Sequence, residues 1–252
     1  MDPKKVIACD LDGTLAQSKS PLTTEMAEVI NELLSKYFFA VISGGNFAQF
    51  QKQFLPGIVV SDERIKNLYL FPTMGTACYT FDEKKSDWSR LYYEPLGEEE
   101  RGKIIKAFED LIKENKLDHV QTYGEIIEDR GTQVTFSALG QQAPVSEKEK
   151  WDSDQKKRTE FVEFLKKKIP EFEISIGGAT SIDVTKKGLD KAYAIGKIKE
   201  IMKVGDNDIV FIGDALYKGG NDSAVKKTAV DYIQEDGPAE TLELLRRYAR
   251  LL

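Results

Sequence analysis

Cysteine and histidine are nearly absent: Cys9, Cys78 and His119 are all that 252 residues contain. So few cannot form a disulfide framework or a Cys/His zinc site, and any bound metal must be held by oxygen. Long hydrophobic runs are missing too. Val6-Ile7-Ala8-Cys9, behind Met1-Asp2-Pro3-Lys4-Lys5, stops at Asp10, too short for the apolar part of a secretion signal. No later stretch approaches the ~20 apolar residues of a membrane span. The expectation is a cytoplasmic chain with no membrane partner. Positive charge is not in excess either, because 36 basic and 42 acidic residues leave −6. Such a chain lacks the broad basic field that attracts phosphate backbones, so no nucleic acid partner is expected. There is no internal repeat, no P-loop motif and no calcium-loop spacing.

What is present is the material of a globular protein: 41% hydrophobic, 10% aromatic and 31% charged residues. The length fits one large domain or two smaller ones. Val6 to Cys9 reads as a buried strand, Thr23 to Lys36 as a helix with Met26, Val29, Ile30, Leu33 and Leu34 on one face, and Phe38 to Ile42 as a second strand. That βαβ unit predicts a parallel sheet. The same grammar returns in the helix Lys191 to Met202, the strand Ile209 to Ile212 and the helix Pro238 to Leu252. Between about Asp82 and Asp183 the strands alternate instead, as in Gln133 to Ser137 and Phe172 to Ile176, which predicts an antiparallel sheet with one covered face. Helices over Glu98 to Asn115 and Gln155 to Lys168 would cover it. The fold class read from this pattern is α/β: a Rossmann-like, doubly wound parallel-sheet core over 1–82 and 186–252, interrupted by an inserted α+β cap over 83–185. Asp82 to Asp87 and Thr185 to Gly188 are the expected hinges, and Trp88 and Trp151 are read as cover for the cap.

Asp10-Leu11-Asp12-Gly13-Thr14 follows directly on the first strand. Side chains two apart on extended chain share a face, so Asp10 and Asp12 would point together beyond the carboxyl edge of a parallel sheet, where ligands bind. The same residues also fit a plain Asp-Gly turn. Ser43-Gly44-Gly45-Asn46 ends the second strand, and its hydroxyl and free backbone N–H groups suit an anion or simply cap a helix. Asp214 ends a third strand, followed by Gly219-Gly220-Asn221-Asp222. Lys191 opens a helix, where most lysines are merely solvated. The sequon Asn221-Asp222-Ser223 is expected to stay unmodified.

In this order the four elements resemble the haloacid dehalogenase superfamily of phosphotransferases: DxDGT, a Ser after the second strand, a Lys, then GD followed by ND. Within it the chain is similar to the capped subclass IIB and, most of all, to the eukaryotic-type phosphomannomutases. That likeness rests on SGG at Ser43 to Gly45, LGEE at Leu96 to Glu99, SIGGATSIDV at Ser175 to Val184, GLDK at Gly188 to Lys191 and GDALYKGGND at Gly213 to Asp222. It implies Mg2+ held by Asp10, Asp214 and the main-chain carbonyl of Asp12, with Asp222 behind them. Asp10 would be the nucleophile that becomes an aspartyl phosphate, Asp12 the acid and base, and Ser43 and Lys191 the partners of the transferring oxygens. The cation answers a real barrier, since two unit charges ~4 Å apart repel by roughly 4 kcal/mol at an effective dielectric near 20.

The resemblance further implies substrate contacts at Gly44, Gly45, Asn221, Arg130, Ser181 and Asp183, a sugar phosphate as substrate, and a possible homodimer through the cap. Three positions depart from the family pattern. Lys19 and Lys148 stand where arginines are expected, losing the bidentate fork, and Gln141 replaces a third arginine, losing charge as well. The expectation is therefore a Mg-dependent phosphatase of a small sugar phosphate first, a phosphohexomutase second, and a non-catalytic metabolite-binding protein third.

Overall fold

Five residues, Val6–Asp10, form strand β1 at the middle of a sheet, buried on both faces as a central parallel strand must be. The computed structural model describes residues 4–119 and 121–251, so Leu252, the expected end of the final helix, lies outside it with residues 1–3 and 120. Thr23 caps helix α1 (Thr24–Leu33) by accepting the Met26 N–H, and the chain returns as β2 (Phe38–Ile42). Asn46 caps a short helix α2 (Phe47–Gln53) in the same manner, followed by the single turn α3 (Asp62–Ile65) and β3 (Leu68–Phe71). β4 (Ala77–Asp82) and β5 (Asp87–Tyr93) then form an antiparallel hairpin.

The middle of the chain contributes α4 (Glu98–Glu114), β6 (Ile127–Asp129), β7 (Val134–Ser137), α5 (Val145–Trp151), α6 (Lys156–Lys168), β8 (Phe172–Ile176) and β9 (Ser181–Lys186). The end supplies α7 (Lys191–Met202), β10 (Ile209–Gly213), β11 (Asp231–Gln234) and α8 (Pro238–Arg250). The described residues divide into two compact units. One comprises the residues up to Tyr93, Lys191–Lys218 and the chain from Asp222 on; the other comprises Glu94–Asp190 and Gly219–Asn221.

The first unit holds a seven-stranded sheet in the order β11-β10-β1-β2-β3-β4-β5, parallel from β11 to β3 and antiparallel thereafter. The two-residue period of each strand decides which helical layer a side chain meets. Ile7, Cys9, Phe39, Val41, Val210 and Ile212 pack into one cluster with α1 and α8, whereas Val6, Ala8, Ala40, Ile42, Ile209 and Phe211 pack with α7 on the opposite face. Each such Val, Ile or Phe side chain, fully buried, contributes about 1.5–3 kcal/mol by leaving water. The second unit is a four-stranded antiparallel sheet, β6-β7-β9-β8. Val134, Phe136, Ile174, Ile176, Ile182 and Val184 face α4 and α6 in its core.

Two expectations need correction. Asp82 to Asp87 is the tip of the β4–β5 hairpin, with Asp82 opposite Asp87, and the hairpin extends the core sheet instead of starting a hinge. A charged hairpin tip and a charged linker have the same composition, so sequence cannot separate them. Trp88 accordingly packs with Phe47 and Phe81 in the first unit, beside the stacked rings of Phe47 and Tyr79, and not on the cap. Trp151 does pack against the apolar cluster of the second unit. Helix α5 was not foreseen, and Gln155 is not helical: it sits in a left-handed conformation just ahead of α6. No helix among the described residues is long and apolar enough to cross a membrane.

Candidate functional site

Parallel pairing of β1 with β10 sets Cys9 opposite Ile212, so the next residues along, Asp10 and then Asp214 after Gly213, emerge side by side at the carboxyl edge. Asp222 returns to the same place through a loop that its own Oδ2 closes by accepting the Ala215 N–H at 3.0 Å. One oxygen from each of Asp10, Asp214 and Asp222 lies within 4.8 Å of the others. Lys191, first residue of α7 and wholly buried, donates to Asp10 Oδ1 at 2.5 Å and to Asp222 Oδ1. Thr14 accepts the Asp214 N–H at 3.0 Å and donates back to its Oδ1 at 3.1 Å. Gly13 has φ +93°, and a Cβ there would fall 2.5 Å from Asp214 Oδ2, so no other residue fits that turn.

The electrostatics follow from burial. Asp10 is held well above the usual carboxylate range, chiefly by burial and then by Asp222 and Asp214, against the pull of Lys191. Asp214 is raised by burial and by Asp222. Burial works to lower the Lys191 ammonium, yet Asp10 and Asp222 outweigh it and hold it above its ordinary value. Counted formally, three carboxylates and one ammonium sum to −3 + 1 = −2.

Asp12 stands apart from this cluster. Its Oδ2 accepts from Gln49 Nε2 at 2.8 Å, and its Oδ1 accepts from Gln53 Nε2 at 2.9 Å and from the Lys19 N–H at 2.6 Å. Lys19 thus meets the site through its backbone, in a left-handed conformation. Ser43 is buried at the end of β2, where its hydroxyl accepts the Gly45 N–H at 3.0 Å and its carbonyl accepts the Met74 N–H. Gly44 and Gly45 form the turn into α2, a helix of only seven residues.

In the second unit, β7 and β9 turn a polar face away from their core, with Thr135 opposite Asp183 and Ser137 opposite Ser181. Asp183 is buried, and its Oδ1 accepts from Gln133 Nε2 at 2.8 Å and Thr135 Oγ1 at 2.7 Å. Ser181 Oγ lies 3.5 Å from Ser137 Oγ. Arg130, between β6 and β7, pairs with Glu128 at 2.7 Å. Lys148 is buried and donates to the Gln141 main-chain carbonyl at 3.0 Å, so these two positions are neighbours. Asn221 precedes Asp222 in the loop after β10, with its Oδ1 buried.

Several side chains at these places were not singled out from sequence. Gln49 and Gln53 could have been found by their four-residue spacing, which puts them on one helix side facing back toward DxDGT. Arg158 could not. It forms a buried ion pair with Asp152 at 2.8 Å and donates to the carbonyls of Gly177 and Gly178, pinning the β8–β9 loop. Gly177 has no room for a Cβ, which would meet Asp183 Oδ2 at 2.6 Å.

A family model described as eukaryotic phosphomannomutase matches residues 26–246. The chain belongs to the eukaryotic phosphomannomutase family. Among its relatives, the phosphomannomutase of Schizosaccharomyces pombe is 30% identical over 227 residues, covering 87% of this chain and 84% of that protein. That of Saccharomyces cerevisiae is 27% identical over 251 residues, covering 96% and 93%. Solved structures agree on the fold, which is that of the haloacid dehalogenase superfamily. ATP-bound IMP-nucleotidase of Plasmodium falciparum superposes with a TM-score of 0.76 at 16% identity, over 99% of this chain and 61% of that one. SMU.1108c of Streptococcus mutans gives 0.63 at 17%, over 97% and 98%.

Phosphotransferases of the haloacid dehalogenase superfamily generally use Mg2+, and the donors here suit it. The donors are hard carboxylate oxygens, two of the three residues buried and a formal −2 left uncompensated, which suits a small divalent cation and offers nothing to a soft one. Asp222, with one oxygen on Lys191 and the other on the Ala215 N–H, is the most firmly held of the three.

Proposed function

We propose that the protein is a phosphohexomutase of the phosphomannomutase type, which relays a phosphoryl group between hydroxyls of a hexose phosphate through Asp10. The observation that carries this reading is the family match over 26–246, because it runs through the second unit as well as the core. That reverses the order expected from sequence, which placed a phosphatase first on the strength of Lys19, Gln141 and Lys148.

Mg2+, held by Asp10, Asp214 and the Asp12 carbonyl with Asp222 behind them, would supply charge neutralisation between the anionic nucleophile and the phosphoryl oxygens. The Asp10 carboxylate attacks phosphorus as the bond to the sugar oxygen breaks, and Asp12 gives that oxygen its proton. In the return step a free hydroxyl of a hexose that still carries its other phosphate yields its proton to Asp12, attacks the aspartyl phosphate and releases Asp10, so Asp10 must first be charged from a hexose bisphosphate. Ser43 and Lys191 balance charge on the transferring oxygens. Gly44, Gly45 and Asn221 border them. Arg130, Ser181, Asp183, Lys19 and Lys148 are the candidates for gripping the phosphate that does not react. The inserted unit is read as the specificity cap, and the homodimer that the family resemblance implies would be checked by sedimentation.

Hydrolysis is the second reading, favoured by one observation. Lys148 is buried against the Gln141 carbonyl, and neither residue has the guanidinium fork expected there. Hexose phosphates incubated with Mg2+, with and without a hexose bisphosphate activator, separate the two. The expected result is isomerised sugar formed faster than free phosphate. Phosphate release without isomerisation would replace the mutase by a phosphatase.

A further inference from the structure

We infer that Gln49 and Gln53 are positioning residues that fix the Asp12 carboxylate for proton transfer. The inference rests on the phosphotransfer reading of the site but not on the choice between mutase and phosphatase.

Asp12 lies on a loop, and a loop carboxylate ordinarily has a choice of rotamers. Here both oxygens are taken up by donors from two separate segments. Gln49 Nε2 reaches Oδ2 at 2.8 Å, Gln53 Nε2 reaches Oδ1 at 2.9 Å, and the Lys19 N–H reaches Oδ1 at 2.6 Å. An amide donates only through its nitrogen, and both amides turn that nitrogen toward the carboxyl group. The second N–H of Gln49 then donates to Gln53 Oε1 at 2.8 Å, which ties the two amides to each other.

The supports are themselves fixed. Gln49 N–H is held by the Asn46 cap at 3.0 Å. Gln53 is buried, unusual for glutamine, and its main-chain carbonyl accepts the Leu22 N–H. Gly45 completes the arrangement: a Cβ there would stand 2.2 Å from Gln49 Oε1, so the bare backbone of the Ser43–Gly45 turn is what admits the Gln49 amide. The turn bearing Ser43 and the acid–base group are thereby set against the same side chain.

The test separates proton delivery from general damage. A p-nitrophenolate leaving group departs without a proton, whereas a sugar alkoxide needs one from Asp12. In both cases the Asp10–phosphorus bond forms as the ester P–O bond breaks. In the Gln49→Met variant, kcat/KM for phosphate release from a hexose 6-phosphate should fall about tenfold or more, part of the ~10² to 10⁴ that a general acid supplies. For p-nitrophenyl phosphate it should stay within about twofold. Gln49→Lys, which restores a donor, should recover most of the loss, and Asp12→Asn sets the full size of the split. Gln53→Met should repeat the pattern if its melting temperature is kept. If Asp12→Asn shows the split and Gln49→Met lowers both substrates equally or neither, the positioning role is wrong. If Asp12→Asn shows no split, the acid–base reading of the site is what fails.

Discussion

Lys191 carries more of the site's electrostatics than any other single side chain. Its ammonium is buried between Asp10 and Asp222 with the half-buried Asp214 beside them, so removing it changes the formal charge of the cluster from −2 to −3 and leaves two buried carboxyl groups without their cation. Breaking one side of a buried ion pair typically costs about 3–5 kcal/mol. Lys191→Met should lose stability on that scale in chelator, measured by urea unfolding, and should lose less in excess Mg2+, which supplies the missing positive charge. An equal loss in both conditions would mean the three carboxylates do not share a cation. The residue scale is also where sequence was least informative about Lys191: a lysine opening a helix looks solvated until the fold closes over it, and only the accompanying motifs raised it.

Among the elements, the β8–β9 connection is held by an unusual device. Ser181 and Asp183 project from the polar face of β9, and the loop before them, Gly177 and Gly178, is tied down by the buried Arg158 of α6 rather than by ladder hydrogen bonds alone. Arg158→Met removes the grip on both carbonyls and strands Asp152 without its cation. Faster amide exchange over 177–183 and a raised KM for hexose phosphate should follow, while kcat/KM for p-nitrophenyl phosphate is kept, because the core residues are untouched. Unchanged exchange in that loop would remove Arg158 from any role in shaping it. The elements themselves were largely legible where period and burial agree: β1, β2, β10 and their flanking helices occupy the expected stretches within a few residues. The β4–β5 hairpin was not, since its charged tip imitates a linker, and Trp88 followed that misreading to the wrong unit.

At the scale of the whole molecule, the carboxylate set proposed for Mg2+ joins pieces of chain from either side of the insertion: Thr14 and Asp214, 200 residues apart, bond directly. A cation held there binds the folded state and has no matching site in the unfolded one, so Mg2+ should raise the unfolding temperature, by the equivalent of about 2.7 kcal/mol at a hundred times its dissociation constant. Calorimetry with Mg2+ titrated into EDTA-stripped protein measures it, and an Asp214→Asn variant that gains as much as the wild type would place the cation elsewhere. By itself the sequence determined the alternation of elements, the parallel core with an antiparallel insertion, and the carboxylates Asp10, Asp12 and Asp214, because strand period and strand ends are local properties written in adjacent residues. Only the tertiary structure decided that Asp12 turns to Gln49 and Gln53 while Asp10 turns to Lys191, that Asp183 is held by Gln133 and Thr135, and that Arg158 reaches Gly177 and Gly178. A hydrogen bond between side chains far apart in the chain depends on where packing puts two backbones, and no spacing along one chain encodes that.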